Sequence, residues 1–308
     1  MAVRIAGRIS RGRLAALVLL LCLPIPAFAG PPEVTVVLSE EGGAYAEFGA
    51  ALRDSLAGKA SVRTVAAAGG TVQAPGLVVA VGMKAAAAVA AGDAPYALNV
   101  LIPETGYAKL LHDFPNRAQP GTFSAIFLDQ PERRQARLVR AVLPGAQVAG
   151  LLYSAPQGNL PLFQHQLAAH GLRLHERKVG DSLIEALQDV LQHSDVLLAW
   201  PDPEVYNSST IRNILLTAYN MNVPMIGFSP AYVRAGALCA LFSTPKQMAG
   251  QAAAAILQFE AAGKLPPPQH PVEFEVMVNE QVARSLGLRI KSPAALHDEV
   301  AADEGNEP

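Results

Sequence analysis

Short apolar runs punctuate the chain, and most are followed by a turn and then by apolar residues at helical spacing. Val34–Leu38, Ser61–Val65, Leu77–Val81, Tyr96–Ile102, Thr122–Leu128, Val148–Tyr153, Val196–Trp200, Val223–Gly227 and Cys239–Ser243 read as strands. Helices are expected where Tyr45, Phe48, Leu52 and Leu56 recur, in the Ala-rich stretch after Lys84, and over Glu132–Leu143. Further helices follow where Ile211, Leu215, Leu216 and Tyr219 recur, over Lys246–Ala262, and over a short Glu280–Leu286. Strands that are apolar throughout, rather than alternating, are buried on both faces, and regular alternation with helices makes the sheet parallel. Such sheets bind ligands just beyond the carboxyl ends of their strands.

The strand-helix series restarts at Asp129-Gln130-Pro131, which reads as a crossover into a second lobe. Thr244-Pro245 reads as a second crossover and Val272–Val278 as a third crossing segment. The expected organisation is therefore an N-terminal lobe of residues 30–128 and 245–270 and a C-terminal lobe of 129–244 and 271–292. Residues 293–308 are acidic and free of aromatics, the composition of a solvated, disordered tail.

The first 29 residues carry Arg4, Arg8, Arg11 and Arg13, an apolar run from Leu14 to Leu23, and Ala27-Phe28-Ala29 before Gly30, the plan of a cleavable secretory signal peptide. Cys22 follows Leu19-Leu20-Leu21 and so lacks the small residue that a lipoprotein signal places before its cysteine. Removal leaves 279 residues with 20 basic against 26 acidic side chains, a formal charge of −6, which excludes a basic nucleic-acid surface. Only Cys239 survives maturation, so stability rests on the core rather than on an internal disulfide.

The loops at the expected carboxyl ends hold the candidate ligand-binding residues. They are Ser39 and Glu40, Gly82 and Met83, Glu104, Asp129, Ser154 and Asn159, then Asp202, Tyr206 and Asn207, and finally Ser229. A carboxylate there can accept from a ligand amine or hydroxyl, or it can cap the following helix. Gly82 permits close backbone approach by a ligand or is a turn glycine, and the amides after it can receive an anionic group. Trp200 and Tyr206 can wall a ring-bearing ligand or fill the core.

Catalytic readings fare less well. Gly227-Phe228-Ser229-Pro230-Ala231 has the outline of a nucleophile elbow, but Pro230 removes the amide that would complete an oxyanion hole. His165, His170 and His175 lie five apart and form no zinc pattern, and no glycine fingerprint for a nucleotide follows any strand, so neither metal nor cofactor is expected.

Val223-Pro224 through Ala231-Tyr232-Val233-Arg234-Ala235-Gly236-Ala237-Leu238 resembles a segment of one group of bacterial substrate-binding proteins that serve ABC importers, the group that includes tryptophan- and tyrosine-type binding proteins. Members read as an apolar strand, a small polar loop and a helix ending Val-Lys-x-Gly-Ala-Leu, and the loop one strand earlier carries a Thr-Asp-Asn at the place of Pro201-Asp202-Pro203. Weaker similarity covers Leu143-Pro144 to Tyr153-Ser154 and Glu275-Val276-Met277-Val278-Asn279. Ser154 stands where the group has Asn, and Ser229-Pro230 where it has an acidic pair.

The resemblance implies the type I periplasmic binding-protein fold, an α/β architecture of two doubly wound parallel-sheet lobes joined by three crossovers. It also implies a monomeric, non-enzymatic protein of the periplasm that holds a small, possibly amino acid-like molecule between its lobes and presents it to an inner-membrane ABC permease. The competing readings are a sensor module for a membrane receptor and an esterase-like hydrolase using Ser229. Asp202, kept from the Thr-Asp-Asn, is expected to accept a hydrogen bond from the ligand. The signal sequence makes one direct prediction: intact mass of exported protein corresponds to a chain starting at Gly30, and a lipidated start at Cys22 overturns the assignment.

Overall fold

This computed structural model describes residues 33–67, 72, 74–155 and 159–302. The signal peptide, Cys22 and the Ala29 cleavage point lie outside them.

The N-terminal sheet is built from β1 (Glu33–Leu38), β2 (Ser61–Ala66), β3 (Leu77–Val81), β4 (Tyr96–Ile102) and β5 (Phe123–Phe127), all parallel in the order β2-β1-β3-β4-β5. Its central strands are buried at nearly every position because helices cover both faces: α1 (Gly43–Ser55) on one, and α2 (Met83–Ala90) and α3 (Glu104–Asp113) on the other. The four apolar residues that marked the first helix divide as a 3.6-residue repeat requires, with Phe48, Leu52 and Leu56 wholly buried and Tyr45 partly so.

The second sheet holds β6 (Val148–Tyr153), β7 (Arg173–Lys178), β8 (Val196–Leu198), β9 (Met225–Gly227), β10 (Cys239–Phe242) and β11 (Glu275–Val278), in the order β11-β10-β9-β8-β6-β7. All of its pairs are parallel except β10 with β11. Its helices are α4 (Glu132–Val142), α5 (Leu160–Ala169), α6 (Leu183–Gln192), α7 (Ile211–Asn220) and α8 (Pro230–Ala235). The chain then returns to the first sheet as α9 (Pro245–Ala262), which packs along α1, before ending in the second lobe with α10 (Glu280–Ser285) and α11 (Pro293–Ala301). Thr244 starts α9 with a reciprocal capping box to Gln247, so the second crossover ends at a defined residue. The fold class read from the sequence holds: two α/β lobes and three crossovers.

The crossovers are tied by one buried polar network. Arg134, 3% exposed, donates to Gln130 Oε1 at 2.6 Å and to the carbonyls of Pro271 at 3.1 Å and Val272 at 3.2 Å, while its guanidinium lies 4.3 Å from the Phe274 ring centre. Gln130 in turn donates to Ser243 Oγ at 2.8 Å, and Ser243 donates to the Glu273 carbonyl. One guanidinium and its neighbours thus join all three strands of the hinge. A planar fork of five donors over an aromatic face suits that task better than an ammonium would.

Some expectations need correction. Residues 293–301 are not a solvated tail: α11 packs against α4 with Leu296 and Val300 fully buried, and Ser292 caps it through the amide of Ala295. On α7 the inward face is Ile214, Leu215 and Ala218, while Leu216 and Tyr219 face solvent. Val272 precedes β11 rather than belonging to it and is exposed.

Removing a buried leucine costs about 2–5 kcal/mol. Leu296→Ala is therefore expected to lower the urea midpoint of unfolding clearly; an unchanged midpoint would mean that α11 contributes nothing to the core.

Candidate functional site

In an open α/β sheet the ligand crevice opens where strand order reverses. That point lies between β1 and β3 in the first lobe and between β6 and β8 in the second. Eight of the twelve sequence candidates sit in the loops leaving these four strands, and side chains of this chain already fill much of both crevices.

In the first lobe, Ser39 Oγ accepts from the Ala85 amide at 3.0 Å, taking one of the free donors at the start of α2 that an anionic ligand group would need. Gly82 has φ +83°, and a Cβ there would lie 2.7 Å from Ser39 Oγ and 2.8 Å from the Tyr45 ring. The glycine is thus required by its own neighbours and its positive φ. Glu40 is exposed, and Met83 packs against Gly106.

In the second lobe, Asp202 is 95% buried and its carboxylate is saturated from within. It accepts from the Ser154 amide at 2.7 Å, from Ser154 Oγ at 2.8 Å and 2.9 Å, and from the Glu204 amide at 3.0 Å. These bonds support the capping role of Asp202, which caps the turn after β8 and ties it to the loop after β6. Tyr206 is core, donating to the Leu198 carbonyl at 3.2 Å, and Asn207 holds its own turn through Pro203 and Ser209. Trp200 is core as well, edge-on to Phe163. Ser229 precedes α8 in extended conformation and makes no capping bond.

The remaining candidates converge elsewhere, where the two lobes meet beside the first and third crossovers. Leu101 adopts φ +57° at a register shift between β4 and β5, a bulge that redirects the chain into Pro103-Glu104. A non-glycine residue there costs about 1–2 kcal/mol. The Glu104 amide then donates to Asp129 Oδ2 at 2.7 Å. Asn159 of the second lobe reaches over, its Nδ2 donating to Glu132 Oε1 at 2.7 Å and to Glu104 Oε2 at 3.2 Å. His270 completes the group: Nδ1 lies 3.2 Å from the Asp129 carbonyl, which can only accept, so Nδ1 carries the proton and Nε2 faces Glu104 Oε2 at 3.9 Å. Glu132 and His270 were not among the sequence candidates, since each is ordinary until the crossovers bring them together.

Three carboxyl groups thus crowd into a half-dry corner. Burial pushes the Asp129 carboxyl up to about 6, against the pull of the Glu104 amide, and burial also raises Glu104, helped by Glu132 and opposed by His270. Asp129 Oδ1 and Asn159 Oδ1 are buried with no partner among the described residues. A cavity of about 20 Å³ beside the first crossover, lined by Gln130, Gln135, Pro201 and Phe228, has room for about one water and lies within the C-terminal lobe rather than at this corner.

The Asp129 carboxyl has a folded pKa above its unfolded value of about 3.9, so the folded state holds more protons between the two and stability falls as pH rises from about 4 to about 6. The size is about 3 kcal/mol, at 1.36 kcal/mol per unit. Asp129→Asn keeps an oxygen for the Glu104 amide and is expected to flatten that fall in urea titrations between pH 4 and 7; an unchanged slope would refute the assignment.

Comparison with known proteins places this geometry in context. The model of a family described as ABC transporter substrate binding protein matches residues 128–298. Among solved structures, a conserved domain protein from Vibrio cholerae is 20% identical with a TM-score of 0.63, covering 87% of this chain and 98% of its own. An ABC domain in complex with L-Trp from Streptococcus pneumonia is 17% identical with a TM-score of 0.62 over the same shares. A ligand-free, open substrate-binding protein with adhesive properties from Clostridium difficile is 16% identical with a TM-score of 0.62, covering 85% and 96%. No curated protein matches.

Proposed function

The chain belongs to the ABC transporter substrate binding protein family, whose model spans just over half of it, and from that premise we propose that it captures a small molecule bearing a protonated amine between its lobes. The observation that carries the amine is the Asn159 amide lying between Glu104 and Glu132, beside buried oxygens of Asp129 and Asn159 that lack a partner. Carboxylates only accept, so a ligand group suited to this corner must donate several hydrogen bonds and bring positive charge. An ammonium does both, with three N–H donors where the amide offers two. An amino acid-like ligand fits this requirement, and the L-Trp held by the Streptococcus relative is a molecule of that kind.

In this reading the ligand stabilises the closed form, since Glu104 comes from one lobe and Asn159 from the other. The mature protein, starting at Gly30, works as a monomer in the periplasm and presents the closed form to an inner-membrane ABC permease. Binding without chemistry agrees with the Ser229-Pro230 peptide, which has no amide to stabilise an oxyanion.

A charge-assisted hydrogen bond is worth about 1.5–3 kcal/mol, or roughly one to two orders of magnitude in Kd. Calorimetric titration of an amino acid found by thermal shift is expected to show that loss on Glu132→Gln and on N-acetylation of the ligand. Asp202→Asn is expected to lower thermal stability while leaving affinity near wild type. Tight binding of an anionic ligand with no amine, unchanged by Glu132→Gln, would overturn the proposal.

A further inference from the structure

A second group of metal-competent side chains lies on the flank of the C-terminal lobe. His175 is on β7, the outer edge strand, and Asp189 and His193 stand four residues apart at the end of α6, which packs against that strand. One ring nitrogen from each histidine and one Asp189 oxygen lie within 4.8 Å of one another. The helix runs back from β7 to β8, two strands parallel to β6, so its end lies toward the amino-terminal edge of the sheet, away from the cleft.

The geometry points to a binding site for a borderline transition-metal ion of the zinc, nickel or copper(II) class, held by His175, Asp189 and His193.

Four features support it. His175 Nε2 and Asp189 Oδ2 are 3.2 Å apart, close to the roughly 3.3 Å edge of a tetrahedron whose centre is a zinc ion about 2.0–2.1 Å from each ligand. The two imidazole rings lie 5.0 Å apart, tilted by 36°, with one nitrogen of each within 4.8 Å of the other. His193 Nδ1 lies 2.7 Å from the Asp189 backbone carbonyl and must donate to it. That hydrogen bond fixes the tautomer and leaves the lone pair on Nε2; since Nδ1 is also the ring nitrogen 3.9 Å from Asp189 Oδ1, the ring must turn to bring Nε2 to an ion. Finally, the side chains are 34–57% exposed, so an ion and its remaining waters can enter without opening the core. Two imidazoles and one carboxylate select this class over magnesium or calcium, which prefer all-oxygen shells.

One group opposes binding. Arg177 Nε lies 3.6 Å from Asp189 Oδ2 and competes for that carboxylate, but its side chain is 60% exposed and can swing into solvent. The ion would replace the guanidinium and staple the edge strand to α6. The other cluster of metal-ligand type among the described residues, Glu104, Glu132 and His270, already has the Asn159 amide between its carboxylates and belongs to the cleft.

The test is titration of the metal-free mature chain with zinc, read by competition with a chromophoric chelator, alongside melting curves to verify folding. One zinc per chain is expected at micromolar concentration. His175→Ala and His193→Ala are each expected to weaken it about tenfold to a hundredfold or more, and Arg177→Gln to tighten it. His270→Ala, in the cleft, should leave zinc affinity unchanged. Failure to bind zinc, an affinity insensitive to His193→Ala in a folded protein, or loss of zinc with His270→Ala instead would each overturn the site. Amine binding in the cleft is read separately by calorimetry, so either assignment can fail without the other.

Discussion

Two lobes can act as one molecule here because three chain crossings converge on a single buried guanidinium. Arg134 holds Gln130 of the first crossing and the carbonyls of Pro271 and Val272 on the third, and Gln130 passes the connection to Ser243 on the second. Burying a charge is costly unless its donors are met, and removing one partner from such a network leaves others stranded. The network therefore fixes where the three strands lie relative to one another. The peripheral elements, including α9 returning to the first lobe and α10 and α11 ending in the second, depend on that fixed crossing point.

The polar residues around the cleft divide by whether the protein satisfies them itself. At the two points of strand reversal, Ser39 and Asp202 spend their oxygens on backbone amides and, for Asp202, on Ser154. These loops are rigid walls. Beside the crossovers the situation reverses, with acceptors outnumbering donors and two buried oxygens unpartnered among the described residues. Native interiors seldom leave buried polar atoms without a partner; single atoms of Asn99, Glu176 and Trp200 share that state among the described residues, and this corner holds two.

The sequence exposed the sheets well because buried strands are largely apolar, and eight such runs became strands of the two lobes, while Ser61–Val65 became the half-exposed edge strand β2. It hid β7, since Arg173–Lys178 is a charged edge strand with no apolar run, and with it went the partner that makes Asp189 and His193 more than an i, i+4 pair. It also hid α11, where only Ser292-Pro293 and the Leu296–Val300 spacing broke an otherwise acidic, alanine-rich stretch. Among the candidate residues, the strand-end rule found Glu104, Asp129 and Asn159 but could not separate them from Asp202. Both sets are polar residues at strand ends, and only the hydrogen-bond partners, set by folding, distinguish a capped turn from an unsatisfied corner. Glu132 and His270 are distant in sequence and meet only through the crossover geometry.

The docking of α11 on α4 bears on how the cleft transmits its state. Glu132 begins α4, and Asn159 begins α5, which packs against the same helix, so both are carried by a part of the lobe that α11 braces from outside. Glu104 stands on the opposite body, beside His270. Separation of the lobes then strains one contact, Asn159 to Glu104, while Asn159 to Glu132 travels intact. The corner is thus built as a latch with one half on each lobe, and α11 backs the half that carries Glu132 and Asn159.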